Sequence, residues 1–232
     1  LITQQDQKYK LPCQLPTEKL PTINSVNMNH PLLPSDFYQS EDVVQIGKDL
    51  LGKYLVTNID GQLTAGKIVE TEAYRGPDDK ACHAWNNRLT DRTRVMYEAG
   101  GVAYVYLCYG IHHLFNVVTG PQGMAHAVLI RAIEPVHNIE MMQLRRNMTA
   151  LKRQLTAGPG AMSQALGIRT SFNGVNLMDP ASPIWIEDRG ERIAESEILS
   201  GPRVGVESAG ECALWPWRFV VKGSGWVSAF RK

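Results

Sequence analysis

The stretch Lys53-Tyr54-Leu55-Val56-Thr57-Asn58-Ile59-Asp60-Gly61-Gln62-Leu63-Thr64-Ala65-Gly66-Lys67-Ile68-Val69-Glu70-Thr71-Glu72-Ala73-Tyr74 decides the fold. Lys53–Ile59 reads as a strand, Asp60-Gly61 is a tight-turn pair, and Leu63–Tyr74 returns as the partner strand. Upstream, Ser40 is placed to cap a helix running to Leu51, with Val43, Ile46, Leu50 and Leu51 on one stripe and Gly52 as its stop. Downstream come two more strand-like runs, Val102–Tyr109 and His112–Thr119, broken at Gly110. A third, Ala125–Ile133, is expected to stop at Glu134-Pro135. Helix is predicted over Asn138–Leu155, and again from Gly158-Pro159-Gly160 to Leu166; short strands follow near Ile184–Ile186 and Arg218–Lys222. Hairpins come first and helices later, without βαβ alternation, which points to an α+β fold around an antiparallel sheet.

The 232 residues are 44% hydrophobic and 20% charged, enough apolar material for one sizeable core and unlike a disordered chain. Residues 1–35, punctuated by prolines and without periodicity, read as an extended tail, and residues 36–232 as one domain. Leu1–Lys10 is polar with no apolar core after it, so no secretory leader is expected, and no apolar run approaches the ~20 residues of a membrane helix. The four cysteines, Cys13, Cys82, Cys108 and Cys212, form no Cys-x-x-Cys pair, so free thiols in a reducing, intracellular compartment are expected. With 24 Lys and Arg against 23 Asp and Glu, a strongly polybasic binder is excluded, but a local basic patch is not. Arg145, Arg146, Lys152 and Arg153 make such a patch. The segment Asp179–Glu197 is acidic, so a one-sided, salt-sensitive grip on phosphates is expected; the plainer reading of Arg145–Arg153 is the solvated side of a helix.

Chemistry concentrates on Ile68–Tyr74. On a regular strand Ile68, Glu70, Glu72 and Tyr74 share one face, and the two carboxylates stand roughly 7 Å apart, each raising the other's proton affinity. A carboxylate beside an aromatic ring suits a general base that activates water; the plainer alternative is a solvated face with Glu70 in an ion pair. A turn-rich loop, Arg75–His83, returns a histidine, and Arg88, Arg92 and Arg94 lie just beyond it. Tyr104 and Tyr106 point one way, and Tyr109 points the other near a hairpin tip, where it could act as a wedge. His112-His113 looks like a metal pair, but neighbours on a strand face opposite ways and no third ligand is evident, so no metal is expected.

The chain resembles the alkyladenine (3-methyladenine) DNA glycosylase family, the type not built on a helix-hairpin-helix. The matching stretches are Gly66–Tyr74 with Gly76-Pro77, Ala103–Gly110 and Leu129–Pro135. Gly158-Pro159-Gly160 with Gln164-Ala165-Leu166, Arg203–Val206 and Gly225–Ser228 continue the match in the family's order. The resemblance implies a single compact domain with a curved antiparallel sheet, a protruding β-hairpin and surrounding helices. It implies that Glu72 is the general base acting on the attacking water, with His83 and Arg131 beside that water and the base, and the Val204 carbonyl helping to hold it. Tyr74, His83 and Tyr106 would enclose the extruded base, Asn116 would reject the exocyclic amino group of guanine, and Tyr109 would fill the gap left in the duplex. Arg145, Arg146, Lys152, Arg153 and Gly160 would contact phosphates. Two departures from the family, Ala161 after Gly-Pro-Gly and Glu98 near a DNA-facing loop, bear on that grip.

The implied activity is monofunctional hydrolysis of alkylated or deaminated purines in double-stranded DNA, by a monomer without metal, cofactor or membrane partner. Such a protein would work in a bacterial nucleoid or a eukaryotic nucleus. With no lysine at the matched pocket positions, no Schiff base or strand cleavage is expected. A hydrolase of free nucleosides or glycans needs neither a wedge nor a basic segment, a non-enzymatic binder of damaged DNA has no use for Glu72, and no RNA-recognition signature is present.

Overall fold

A computed structural model describes residues 30–228. Two short helices, α1 (Ser35–Tyr38) and α2 (Val43–Asp49), precede the opening hairpin of β1 (Tyr54–Ile59) and β2 (Gln62–Arg75). Its two-residue turn has Asp60 at φ 55° and Gly61 at φ 70°, the left-handed pair that matches strand twist. The helix cap differs from the expected one: Asp42, not Ser40, accepts the Gln45 N–H at 2.9 Å. Ser40 instead accepts the Asp42 N–H.

The remaining strands are β3 (Ala103–Cys108), β4 (His112–Thr119), β5 (His126–His137), β6 (Ile184–Glu187), β7 (Ile198–Gly201) and β8 (Arg218–Val221). They form one antiparallel sheet in the order β3-β4-β5-β2-β1-β6, with β8 alongside the second half of β2 and β7 alongside β8. Strand β5 runs past the expected stop at Pro135. Pro135 lies opposite Gly66, where the register shifts, so its missing N–H falls at an irregularity of the ladder. The predicted long helix is also shorter than expected: α3 spans only Ile139–Arg145. Asn147, at φ 51°, turns the chain left-handed, and the Met148 N–H returns to the Gln143 carbonyl in a Schellman closure.

Two irregularities in the β2–β5 pairing position the chemistry. Val69 on β2 and Arg131 on β5 each fall at a register shift. Ile68 therefore packs into the main core with Ile133, while Thr71 donates to the Gly47 carbonyl of α2 at 2.6 Å and Ala73 joins the same core. Glu70 and Glu72 face the other way, both onto Arg131. The expectation that Ile68 shares their face assumed a regular strand and fails at this bulge. The helical face of the sheet carries the main core, which includes Phe115, Ile130, Met162 from α4 (Pro159–Leu166), and Phe219. On the opposite face, the loop after β2 packs Cys82, Ala84 and Met96 against Tyr104 and Ala127.

Most of the expected tail lies outside the described residues, and Cys13 with it. Its last part packs on the domain: Leu32 bridges to Glu187, and Leu33 is buried with its N–H on the Ile186 carbonyl.

Candidate active site

A cavity of about 1000 Å³ opens on the loop-covered face of the sheet, walled by Tyr74, Tyr104, Tyr106, Asn116, Leu129 and Arg131 from four adjacent strands. Val204 and His83 close it from two loops. The rings form a cluster: His83 and Tyr106 lie 4.7 Å apart at 75°, and Tyr104 and Tyr106 lie 5.4 Å apart at 34°. Of the two histidine nitrogens, Nε2 must accept from Arg92 at 3.2 Å, because a guanidinium only donates. The proton therefore sits on Nδ1, which donates to the Tyr104 hydroxyl at 2.9 Å. Burial, and then the Arg92 charge, push the His83 pKa down to about 4, so the ring is a neutral wall at physiological pH.

Glu72 is fully buried one layer behind this wall, not on the cavity surface itself. Its three hydrogen-bond donors all border the cavity: the Val204 amide on Oε1 at 2.8 Å, and the Tyr74 hydroxyl (2.8 Å) and Arg131 Nη1 (3.2 Å) on Oε2. A carboxylate has about four lone-pair sites. Three are occupied here, and the Val204 carbonyl accepts no hydrogen bond among the described residues.

The two carboxylates are tuned apart. Burial pushes the Glu72 carboxyl above the usual glutamate range, against the pull of Arg131, the Val204 amide and the Tyr74 hydroxyl. Burial would raise Glu70 too, but Arg131, the Ser228 amide and Arg218 outweigh it and hold its carboxyl low. Glu70 is the anchor: Arg131 Nε (2.8 Å), Arg218 Nε (2.9 Å) and the Ser228 amide (2.9 Å) converge on it. It thereby fixes the guanidinium whose other arm reaches Glu72. A second ion pair, fully buried, joins Arg203 to Asp79. Arg203 also donates to the Ala73 carbonyl and lays its guanidinium 4.7 Å from the Tyr74 ring centre. This pins the segment that presents Val204.

At the β3–β4 tip the Cys108 carbonyl accepts the Ile111 N–H, leaving Tyr109 and Gly110 at the turn with φ 51° and 73°. Tyr109 is 89% exposed. An aromatic residue held left-handed and bare to solvent is costly twice over, as expected of a side chain kept for contact with something outside the protein.

A family description, methylpurine-DNA glycosylase, matches residues 36–225. The chain belongs to the methylpurine-DNA glycosylase family. It is 47% identical over 191 residues to a protein of Chlamydia abortus, covering 82% of this chain and 98% of that relative. It is 46% identical over 201 residues to one of Bacillus cereus strain G9842, covering 84% and 98%. The names of both mark them as inferred 3-methyladenine DNA glycosylases.

The structure brings together Glu72, Tyr74, His83, Tyr106, Asn116, Arg131 and Val204 around one cavity of the glycosylase. Asn116 is held by donating Nδ2 to the Tyr104 carbonyl at 3.0 Å. The phosphate-contact set is scattered. The Arg145 guanidinium turns inward to Thr64, the Ala165 carbonyl and the Ile59 carbonyl, because the short α3 aims it at the protein. Arg146 is held by Gln164 and the Gln154 carbonyl, while Lys152 and Arg153 are exposed. Gly160 borders the cavity at the start of α4, where a Cβ would fall 2.9 Å from the His112 ring. His112 and His113 part ways, His113 accepting the Thr170 N–H.

The sequence places Arg88 and Arg92 just beyond the His83 loop without giving them a role; the structure sets both, with Lys80, on the cavity border. The sequence likewise gives no role to Asp79, whose Arg203 partner lies across the fold, beyond any spacing rule.

Two expected results follow. Excision of a neutral base should fall on the acid side with an apparent pKa above the 4.5 of an ordinary glutamate, since only ionised Glu72 accepts a proton. No inflection should appear near 6.5, because His83 stays neutral down to about 4; a pH–rate profile from 4 to 9 measures both. Tyr109→Gly should raise stability by up to about 1 kcal/mol in urea denaturation, by relieving the left-handed tyrosine. The same change should cut excision about tenfold or more through loss of the wedge, while nonspecific duplex binding changes less. Equal losses in excision and binding would refute the wedge.

Proposed function

We propose that this glycosylase rotates a damaged purine out of double-stranded DNA and hydrolyses its N-glycosidic bond with a water activated by Glu72. The substrates are of the 3-methyladenine, 7-methylguanine, hypoxanthine and ethenoadenine class. A base inside a duplex is out of reach of a nucleophile, and extruding it costs a few kcal/mol, least where pairing is already damaged. Tyr109 enters the gap, and the base is seated against Tyr74, His83 and Tyr106. There an electron-rich ring attracts a cationic purine by about 0.5–2 kcal/mol.

Glu72 takes one proton from the water, and the hydroxyl oxygen attacks C1′ as the C1′–N bond breaks and the base departs with the bonding pair. A cationic base leaves as a neutral molecule and needs no acid; a neutral base must gain a proton from a donor at the site. What supports the reading is a buried carboxylate whose three hydrogen-bond donors, the Val204 amide, the Tyr74 hydroxyl and Arg131, all border the cavity. One lysine, Lys80, borders the cavity, exposed at its edge. The proposal keeps it out of the chemistry: a monomeric, monofunctional hydrolase with neither metal nor cofactor in the reaction.

The test is a duplex carrying one hypoxanthine or 1,N6-ethenoadenine. Free base should be released, the strand should break only after hot alkali, and borohydride should trap no adduct. Spontaneous strand cleavage with a trapped adduct would overturn the water mechanism. Equal turnover of the free nucleoside would overturn base extrusion.

A further inference from the structure

Arg92 has no place in the mechanism above, yet it touches two of the rings meant to hold the base. Its guanidinium carbon lies 4.8 Å from the centre of Tyr106, and its Nη2 donates to His83 Nε2 at 3.2 Å. No carboxylate neutralises it among the described residues: the neighbouring acid Asp91 pairs with Arg94 instead. Arg92 is exposed, on a loop at the cavity border, so its long side chain is free to move outward. A planar, delocalised cation thus rests on the ring face of a site whose substrates include planar, delocalised cations.

We propose that Arg92 sets the selectivity of the slot between cationic and neutral purines, disfavouring cationic ones by occupying the ring surface and repelling their charge. The idea deepens the functional reading above and rests on it. Two physical effects act in the same direction. The guanidinium competes for the same attraction to the Tyr106 ring that a cationic purine uses. Its charge, 4.8 Å from the centre of the Tyr106 ring and neutralised by no carboxylate among the described residues, also raises the energy of a second cation on that ring. A neutral hypoxanthine or ethenoadenine meets only the first effect, and weakly. Any phosphate contact that Arg92 makes when displaced would act on every substrate alike.

The experiment compares kcat/KM for 7-methylguanine and for hypoxanthine, each placed singly in the same duplex, in the wild type, Arg92→Gln and Arg92→Lys. The glutamine keeps a donor for His83 Nε2 and removes the charge; the lysine keeps the charge. In Arg92→Gln the ratio of 7-methylguanine to hypoxanthine should rise about tenfold, the scale expected for one like-charge contact in partly wet protein. In Arg92→Lys it should stay within about twofold of wild type. Equal losses on both substrates in Arg92→Gln, or an unchanged ratio, would overturn the proposal and leave Arg92 a DNA contact or a prop for His83. Wild-type release of neither base would instead refute the functional reading itself, so the two failures are distinct.

Discussion

Glu72→Gln is expected to stop base release, by about 10²–10⁴-fold, while duplex binding persists. The glutamine is nearly isosteric and its carbonyl can still accept the Val204 amide, so the cavity wall survives. What is lost is the anionic acceptor for the water's proton. The amide that replaces Oε2 also faces Arg131 Nη1, a donor against a donor, but Arg131 remains anchored by Glu70 at 2.8 Å, which limits the structural cost. Single-turnover release of hypoxanthine, with a gel-shift control, measures the effect. Retained excision in this variant would remove Glu72 from the mechanism.

Arg131→Met carries the largest expected loss of stability, about 3–5 kcal/mol by urea denaturation at neutral pH. Arg131 is the cation between two carboxylates that are both fully buried, and it bonds each of them. Methionine fills much of its volume and leaves Glu70 and Glu72 to repel each other, with Arg218, the Ser228 amide and hydroxyl, the Val204 amide and the Tyr74 hydroxyl as the remaining compensation. The pH dependence distinguishes this cause from a packing defect. Without Arg131, burial and mutual repulsion lift the folded-state carboxyl pKa values above their unfolded values. Folded protein then binds more protons than unfolded, so stability drops as pH rises through that range and recovers as pH falls. The deficit relative to wild type should therefore shrink toward pH 4. A deficit independent of pH would mean that lost packing, not stranded charge, is the cause.

Much of the fold was legible because its signals are local. Asp60-Gly61 imposes a left-handed two-residue turn on any chain, and β1 and β2 follow from it. Gly158-Pro159-Gly160 and Gly167 bracket α4 in the same local way. The two misjudged elements have different causes, one local and one distant. α3 stops at Arg145 although the helical pattern runs on, because the left-handed Asn147 closes the helix within two residues. β5 crosses Pro135 because β2 offers an irregular register there.

The site divides along the same line. By itself the chain determined which residue types are available: two carboxylates on one strand, a tyrosine-rich hairpin, a histidine on the loop between, in an order that resembles one family. Only the tertiary structure decided what each of them is. Two register shifts turn Glu70 and Glu72 onto a common arginine; burial and unequal hydrogen bonding hold the Glu70 carboxyl low and push that of Glu72 up. The physical reason is that a carboxylate's chemistry is set by its dielectric surroundings and its hydrogen-bond partners. Those partners, Val204, Arg131, Arg218 and Ser228, lie roughly 60 to 160 residues away in sequence, where no periodicity can point to them.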